Sequence, residues 1–332
     1  MFNSWAKWMR SPERRYRLFR CTLALVLVVV LVLIANDAFL RNASRYNVAN
    51  RVSWLLNQSG RDDEIVIVGS SLLRQGINEQ QLGDRLGTKR PILNLANNGS
   101  GIVEQALTLD LYLRQNQCRT VILELHPRGL ERGNQPRPLE TYNYLGHLGD
   151  ETVKRHLAGH YGLATFLAMR WIPMAAMARY NSRAAWHDVH QWIRGSRFDP
   201  ARRAADHANP DRQELVKQTA QHIDRDEVPV VDTRSVKQFR DLIATAQRHR
   251  VSIVAVVPPM FQLDDGSDTT AMTAASRKAY RDLLPPHTRV LRFNGSDWDR
   301  VEWFQDALHL SESGSREFSR RLADRMLDNR SF

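Results

Sequence analysis

Cysteine is scarce in this chain of 332 residues, which contains only Cys21 and Cys118. Two cysteines exclude the disulfide framework of a small secreted domain and a zinc site built from several thiolates. Glycine and proline are also sparse, at 17 and 13 residues, which excludes a collagen-like or low-complexity chain. The remaining balance, 42% hydrophobic and 25% charged residues, is that of a globular protein with one large domain or two small ones.

Acidic residues are fewer than basic residues, 36 against 47, which gives a formal net charge of +11. The excess is concentrated in residues 1–20, where six basic residues accompany one acidic residue, Glu13. The rest of the chain has no basic run with interleaved aromatic side chains and no helix-turn-helix or zinc-finger spacing. We therefore expect no nucleic-acid partner and relate the basic N-terminus to the segment that follows it.

The longest hydrophobic run, residues 21–35, contains no charged side chain. With its apolar flanks it approaches the length of about 20 residues that a membrane-spanning helix needs. The residues after it offer no good small-residue cleavage site, which disfavours a cleaved signal peptide. Because basic residues precede the run, the positive-inside rule places the N-terminus in the cytoplasm. We predict a basic cytoplasmic tail (1–20), a transmembrane helix (21–40), a polar connecting stalk (41–61) and a domain (62–332) outside the cytoplasmic (inner) membrane, in a periplasmic or other extracytoplasmic space.

Strand-like and helix-like segments alternate through the predicted domain. Short apolar runs occupy 64–69, 91–95, 119–125, 251–257 and 289–293. Amphipathic stretches occupy 78–86, 102–115, 235–249, 271–284 and 313–327. Continuous apolar runs suit strands that are buried on both faces, and the alternation predicts an α/β fold, a three-layer α/β/α domain with a parallel sheet. In such sheets, ligands bind at the carboxyl ends of the strands.

Residues 131–232 interrupt this alternation, since they contain no convincing strand. Helical stretches near 164–178 and 184–194 predict a helical insertion. Its role stays open between packing against the domain and forming a lid or a surface that docks a membrane partner. His187 and His190 have a spacing that permits metal chelation on a helix, but no convincing carboxylate set accompanies them. We therefore predict no metal site.

Polar turns follow the first two predicted strands. The first strand leads into Gly69-Ser70-Ser71-Leu72, where a serine could act as a nucleophile, cap a helix or bind a phosphate. The second leads into a glycine-rich turn over residues 94–101. Backbone N–H groups in such a turn suit an oxyanion or a phosphate, although strand-to-helix turns of this kind are common.

Asp306 and His309 precede the last predicted helix and are three residues apart. At this spacing the carboxylate can reach the imidazole of the same segment. It can then fix the ring tautomer and stabilise the imidazolium that forms when histidine accepts a proton from serine. A surface Asp–His pair without function can have the same spacing. The catalytic interpretation therefore depends on the presence of the two polar turns after the first and second strands.

This ordered set resembles the SGNH/GDSL esterase superfamily over residues 62–330. The resemblance assigns the nucleophile to Ser71, with Ser70 in place of the aspartate of the Gly-Asp-Ser block. It also assigns an oxyanion donor to Gly99, beside the Ser71 amide, and the remaining catalytic roles to Asp306 and His309.

The third block departs from the family pattern, whose asparagine is missing after residues 119–125. His126 and Arg128, or backbone N–H groups, are the candidate substitutes for its side-chain oxyanion donor. The turn residue Asn98, and Trp303 beside the Asp306 segment, are further candidates for substrate contact, while core packing is equally open for Trp303.

With its N-terminal anchor, the chain resembles the envelope acyl-transfer branch of the superfamily. That branch includes the alginate O-acetylation proteins and the D-alanyl-lipoteichoic acid transfer protein. The resemblance implies a polysaccharide or glycopolymer acceptor, an acyl donor supplied by a multi-spanning membrane O-acyltransferase, and no cofactor. Two alternatives stay open: a catalytically degenerate module that binds glycan, and a protein that scaffolds a membrane acyltransferase complex.

Overall fold

Five parallel strands form one sheet in the computed structural model, which describes residues 12–46, 51–127, 129–131, 141–172, 175, 190, 193–195, 210–223, 230–261, 274–293 and 296–328. The strands are β1 (Asp62–Val68), β2 (Ile92–Asn94), β3 (Gln117–Glu124), β4 (Ser252–Val257) and β5 (Arg289–Arg292). Their order across the sheet is β2-β1-β3-β4-β5, and every neighbouring pair is parallel. The predicted α/β fold with a parallel sheet is confirmed.

The central strands are apolar on both faces because each face meets a separate hydrophobic layer. In β1, Val66 and Val68 belong to one buried cluster, whereas Ile65 and Ile67 belong to the other. This alternation follows from the two-residue period of a strand. Burial on both faces explains why the strand sequences are continuous apolar runs.

Helices cover both faces of the sheet. The first layer contains α5 (Ile102–Leu113), α9 (Thr233–Arg248) and α10 (Ala274–Leu283). The second layer contains α3 (Ser71–Gly76), α4 (Glu79–Leu86) and α11 (Glu312–Leu327). Four of these helices match amphipathic stretches within a few residues at each end, and α10 matches the described part of the fifth stretch. The short α3 is an addition that the sequence did not predict.

The insertion is helical where the structure describes it. It contains a 3-10 helix (Thr141–His147), α6 (Glu151–Tyr161), α7 (Leu163–Trp171) and α8 (Arg212–Ile223). Its two ends meet, because Glu131 and Val231 form an antiparallel bridge and the Asp232 N–H donates to the Leu130 carbonyl at 2.7 Å. Most of the predicted helix over 184–194, including His187, lies outside the described residues.

The N-terminal helix α1 (Pro12–Tyr46) contains one apolar segment, Arg15–Arg45, that is long and apolar enough to cross a membrane. It extends beyond both ends of the predicted transmembrane segment, 21–40. No proline or glycine interrupts it between Asp37 and Tyr46, so nothing in the sequence breaks its hydrogen-bonding ladder there.

Of the predicted polar stalk, residues 41–61, the structure describes 41–46 and 51–61, and residues 41–46 and 51–57 are helical. The end of α1 and a second helix, α2 (Arg51–Asn57), pack into the first hydrophobic layer through Ala43, Val52 and Leu55. The Ser53 hydroxyl donates to the Ser44 carbonyl at 2.7 Å and joins the two helices. Apolar residues at helical spacing in α2 account for the packing. The C-terminal end of α1 therefore packs directly against the domain.

Candidate active site

The carboxyl ends of β1, β2 and β3 bring three turns together. Because β1 lies between β2 and β3, the turn after it is flanked by both others. The Asn97 N–H donates to the Gly69 carbonyl at 3.0 Å, which joins the glycine-rich turn to the serine turn. This arrangement follows the general rule for ligand sites in parallel sheets.

Ser71 begins α3, directly after β1. Ser70 precedes it in an extended conformation and caps the helix, since its hydroxyl oxygen accepts from the Leu72 N–H at 3.2 Å. The two serines therefore have different environments. Ser70 is buried and its hydroxyl oxygen caps the helix, whereas the half-buried Ser71 hydroxyl faces the segment before α11.

A continuous hydrogen-bonded chain connects Ser71, His309 and Asp306. The Ser71 Oγ lies 2.7 Å from His309 Nε2, and His309 Nδ1 lies 2.8 Å from Asp306 Oδ2 and 3.0 Å from Oδ1. A proton on Nδ1 donates to the carboxylate and leaves Nε2 free to accept the serine proton. This is the geometry of a nucleophile, a general base and an orienting carboxylate.

A tight loop holds the two members of this chain that lie before α11. Phe304 and Leu310 form an antiparallel bridge across its base, and the Gln305 N–H donates to the His309 carbonyl at 3.0 Å. Asp306 Oδ1 also accepts from the backbone N–H groups of Leu308 and His309, each at 2.8 Å. The carboxylate is therefore fixed by the backbone of the segment that presents the imidazole.

The electrostatics of Asp306 favour the charged carboxylate. Burial acts to raise its pKa, but the His309 side chain, with the two amide donors, outweighs burial and holds the pKa below the ordinary value of 3.8. A charged Asp306 at neutral pH stabilises an imidazolium at His309. The pair is thus suited to accept a proton from Ser71.

Glu124, the last residue of β3, lies beneath the serine turn and was not predicted as a site residue. Its Oε2 accepts the Ser70 N–H and its Oε1 accepts the Ser70 hydroxyl, each at 2.7 Å. The side chain is completely buried, and burial raises its pKa although the Ser70 donors act against this rise. The sequence feature that could have indicated Glu124 is its position as a carboxylate at the end of an apolar strand.

Gly69 is required at the start of the turn because Glu124 packs against its backbone. A Cβ at this position would lie 2.6 Å from Glu124 Oε2 and 3.0 Å from Leu73 Cδ1. Neither neighbour is at the surface, so a side chain here would displace the serine turn. The glycine of the Gly-Ser-Ser sequence thus has a steric cause.

Gly99 and Asn98 lie in the glycine-rich turn. The Ser100 N–H donates to the Asn97 carbonyl at 3.1 Å, and Gly99 has a φ of +69°, a conformation that glycine adopts without strain. Both Asn98 and Gly99 are exposed. The tip of this turn is therefore open to solvent.

The remaining predicted residues occupy different environments. His126 is half-buried just after β3, where its carbonyl accepts from the Tyr280 hydroxyl at 3.1 Å. Arg128 lies outside the described residues. Trp303 is in the core, 9% exposed, with its ring 5.2 Å from that of Trp298. We therefore assign Trp303 to packing beneath the Asp306 loop.

Metal-ligating side chains do not gather in threes or more anywhere in the part of the chain that the structure describes.

Comparison with known proteins adds little to this geometry. No protein-family model matches the chain, and no curated protein matches it. Among solved structures, the chain is similar to one described as "a putative platelet activating factor from Streptococcus pneumonia", with 12% identity and a TM-score of 0.39. The alignment covers 92% of this chain and 99% of that one. At this TM-score the structural similarity is weak.

Proposed function

We propose that this protein is a membrane-anchored serine O-acyltransferase or acetylesterase of the SGNH type. It acts outside the cytoplasmic membrane on a cell-envelope or exported polysaccharide, through an acyl-Ser71 intermediate. The observation that carries the proposal is the hydrogen-bonded chain from Ser71 through His309 to Asp306. Two of its three members come from a segment more than 200 residues away in sequence, at the carboxyl edge of the sheet where ligands bind.

The first half-reaction forms the acyl-enzyme. His309 Nε2 accepts the Ser71 proton as Oγ attacks the carbonyl carbon of the acyl donor, and a tetrahedral oxyanion forms. The proposed oxyanion donors are the Ser71 and Gly99 amides, each contributing about 3 kcal/mol to the transition state. The proton then passes from His309 to the leaving group as its bond to the acyl carbon breaks.

The second half-reaction returns Ser71 to its free form. A sugar hydroxyl or water gives its proton to His309 Nε2 as its oxygen attacks the acyl carbon. The bond from that carbon to Ser71 Oγ then breaks, and His309 Nε2 returns the proton to Oγ. Transfer to a sugar gives an O-acylated polysaccharide, and transfer to water gives hydrolysis. Asp306 stays ionised throughout and stabilises the imidazolium.

The proposed setting follows from α1. We infer that the N-terminus lies in the cytoplasm and the sheet outside, because basic residues precede the one candidate crossing helix in the described part of the chain. We propose that a multi-spanning membrane O-acyltransferase supplies the acyl group and that a polysaccharide or glycopolymer accepts it. This part of the proposal derives from the resemblance of the sequence motifs.

Turnover of an activated ester tests the proposal. The full-length chain in detergent is assayed with p-nitrophenyl acetate beside Ser71→Ala, His309→Ala and the control Ser252→Ala. Ser252 is exposed at the amino end of β4, the opposite edge of the sheet. We expect turnover in the wild type and the control, and a loss of at least about 10³-fold in the two site variants.

A folded wild-type protein without turnover would contradict the enzyme proposal. The missing asparagine after β3 would then favour the glycan-binding module instead. Retention of a soluble acetylated polysaccharide by wild type and Ser71→Ala alike would identify that alternative.

A further inference from the structure

Helix α7 is apolar on two different faces, one buried and one exposed. Phe166 and Met169 point into the first hydrophobic layer and are buried. Leu163, Leu167 and Trp171 are spaced by four residues on another face and are 61%, 41% and 70% exposed. Side chains at this spacing form one continuous stripe along a helix. The following residue, Ile172, is also exposed.

Such a stripe is unusual for a helix that faces water. A surface helix normally buries one apolar face and presents charged or polar residues on the other. Each large apolar side chain left in water forgoes the favourable free energy of burial. Within α7 the only ionisable side chain is Arg170, whose guanidinium lies 4.9 Å from the centre of the Trp171 ring.

A specific contact joins α7 to the membrane helix. Arg41 in α1 donates through Nη2 to the Met169 carbonyl at 2.7 Å, and its Nε donates to Asp37 Oδ2 at 2.6 Å. Leu40, which lies between Asp37 and Arg41 in sequence, is buried in the first hydrophobic layer. The stripe is therefore carried by a helix that is fastened to α1 just beyond the apolar run.

The position of Arg41 along α1 gives the depth of this contact relative to the bilayer. Asp37 is the first charged residue after the uncharged residues 21–36. Arg41 lies one helical turn further, about 6 Å along the axis. The headgroup zone on each side of a bilayer is about 5–8 Å thick, which places Arg41 and the Met169 carbonyl at the level of the headgroups.

We propose that the stripe Leu163-Leu167-Trp171 lies in the interfacial zone of the same bilayer that α1 crosses. This inference rests on the proposed anchoring by α1. Leu163 and Leu167 enter the acyl boundary, the Trp171 ring lies at the headgroup level, and Arg170 faces lipid phosphate. Helices α1 and α7 together give the domain two attachments to the membrane, so Ser71 is held in a fixed orientation to the bilayer.

Site-directed fluorescence on the full-length chain tests this surface. Cys21 and Cys118 are replaced by alanine, and Leu163→Cys or Leu167→Cys is labelled with an environment-sensitive dye. The protein is reconstituted in phosphatidylcholine–phosphatidylglycerol vesicles with a spin label near the lipid headgroup. Lys278→Cys in α10 serves as an exposed control, and Val26→Cys in α1 reports on the span.

We expect blue-shifted emission at positions 163 and 167 that the spin-labelled lipid quenches, whereas aqueous iodide quenches only position 278. Iodide quenching at 163 and 167 would overturn the proposal, since the stripe would face water. Protection from both quenchers would also overturn it, because protein would then cover the stripe. A water-exposed label at position 26 would show instead that the anchoring by α1 had failed, and the proposal would fail with it.

Discussion

Ser70 gives both of its hydrogen-bond donors to Glu124, the N–H to Oε2 and the hydroxyl to Oε1, each at 2.7 Å. The next residue is the proposed nucleophile. A completely buried carboxylate thus fixes the backbone from which Ser71 projects, while Asp306 fixes the position of the general base, His309. Glu124 acts through the turn, so it is a positioning residue.

Glu124→Gln should lower both stability and turnover. The glutamine amide nitrogen cannot accept, so one Ser70 donor loses its partner, at a cost of about 1–3 kcal/mol. The unpaired donor also shifts the backbone that carries Ser71. We expect turnover to fall about tenfold or more, since a rise of about 1.4 kcal/mol in the activation free energy lowers the rate by a factor of ten. Thermal unfolding and p-nitrophenyl acetate turnover of the full-length chain measure the two effects.

Glu131→Gln is the matched control for this variant. Glu131 is also buried and accepts from a serine hydroxyl, that of Ser276 at 3.0 Å, but it lies at the base of the insertion. We expect it to lower stability without a comparable loss of turnover. Equal losses of turnover in both variants would contradict a positioning role for Glu124.

Glu124 should also shape the pH dependence of stability. Burial raises its folded-state pKa above the ordinary value of 4.5, so the folded protein binds this proton more tightly than the unfolded chain does. Its contribution to stability is then greatest below the unfolded-state pKa and declines as the pH rises through the folded-state pKa. Glu124→Gln cannot titrate and should lack this decline. Melting temperatures over a pH series check it, and parallel curves for the two proteins would contradict it.

Gly69→Ala should disrupt the serine turn, because the new Cβ meets the Glu124 carboxylate and the Leu73 side chain. We expect a loss of about 1–3 kcal/mol in stability and a fall in turnover. Gly149→Ala is the control, since a Cβ there meets nothing within 4 Å. Thermal unfolding distinguishes them: a Gly69→Ala protein as stable and active as Gly149→Ala would show that the turn tolerates a side chain.

Asp306→Asn should abolish most of the activity while the loop stays folded. The asparagine amide can donate to His309 Nδ1, which favours the tautomer with the proton on Nε2, and that nitrogen can no longer accept from Ser71. The expected loss of turnover is about 10⁴-fold. Asp299→Asn, an exposed position in the same region, should keep full activity. A small loss in Asp306→Asn would mean that Asp306 does not set the tautomer.

The strands could be predicted from sequence because their cause is local. A strand buried on both faces needs a continuous apolar run, and all five runs coincide with β1 to β5. The strand order could not be predicted, since the sequence of one strand does not specify which strand pairs with it. For the same reason the partnership between Ser70 and Glu124, which joins the ends of two strands, appears only in the structure.

The helix from Arg51 to Asn57 escaped prediction for a different reason. Its seven residues are too few for a clear period, and its stability comes from burying Val52 and Leu55 against the domain. Asp306 and His309 were predicted as partners because their spacing brings them together within one segment. Their contact with Ser71 was predicted only from the resemblance of the ordered motifs to a known superfamily. The hydrogen bond between His309 Nε2 and Ser71 Oγ agrees with that prediction.

The most direct measurement of the central claim is labelling of the full-length chain with a fluorophosphonate, which forms a stable bond to an activated serine as fluoride leaves. Peptide mass spectrometry then locates the adduct. We predict a single adduct on Ser71 in the wild type and its loss in His309→Ala, with Ser70 unlabelled in both. An adduct elsewhere, no adduct on the folded wild type, or equal labelling of Ser71 in His309→Ala would contradict the assignment of Ser71 as the nucleophile activated by His309.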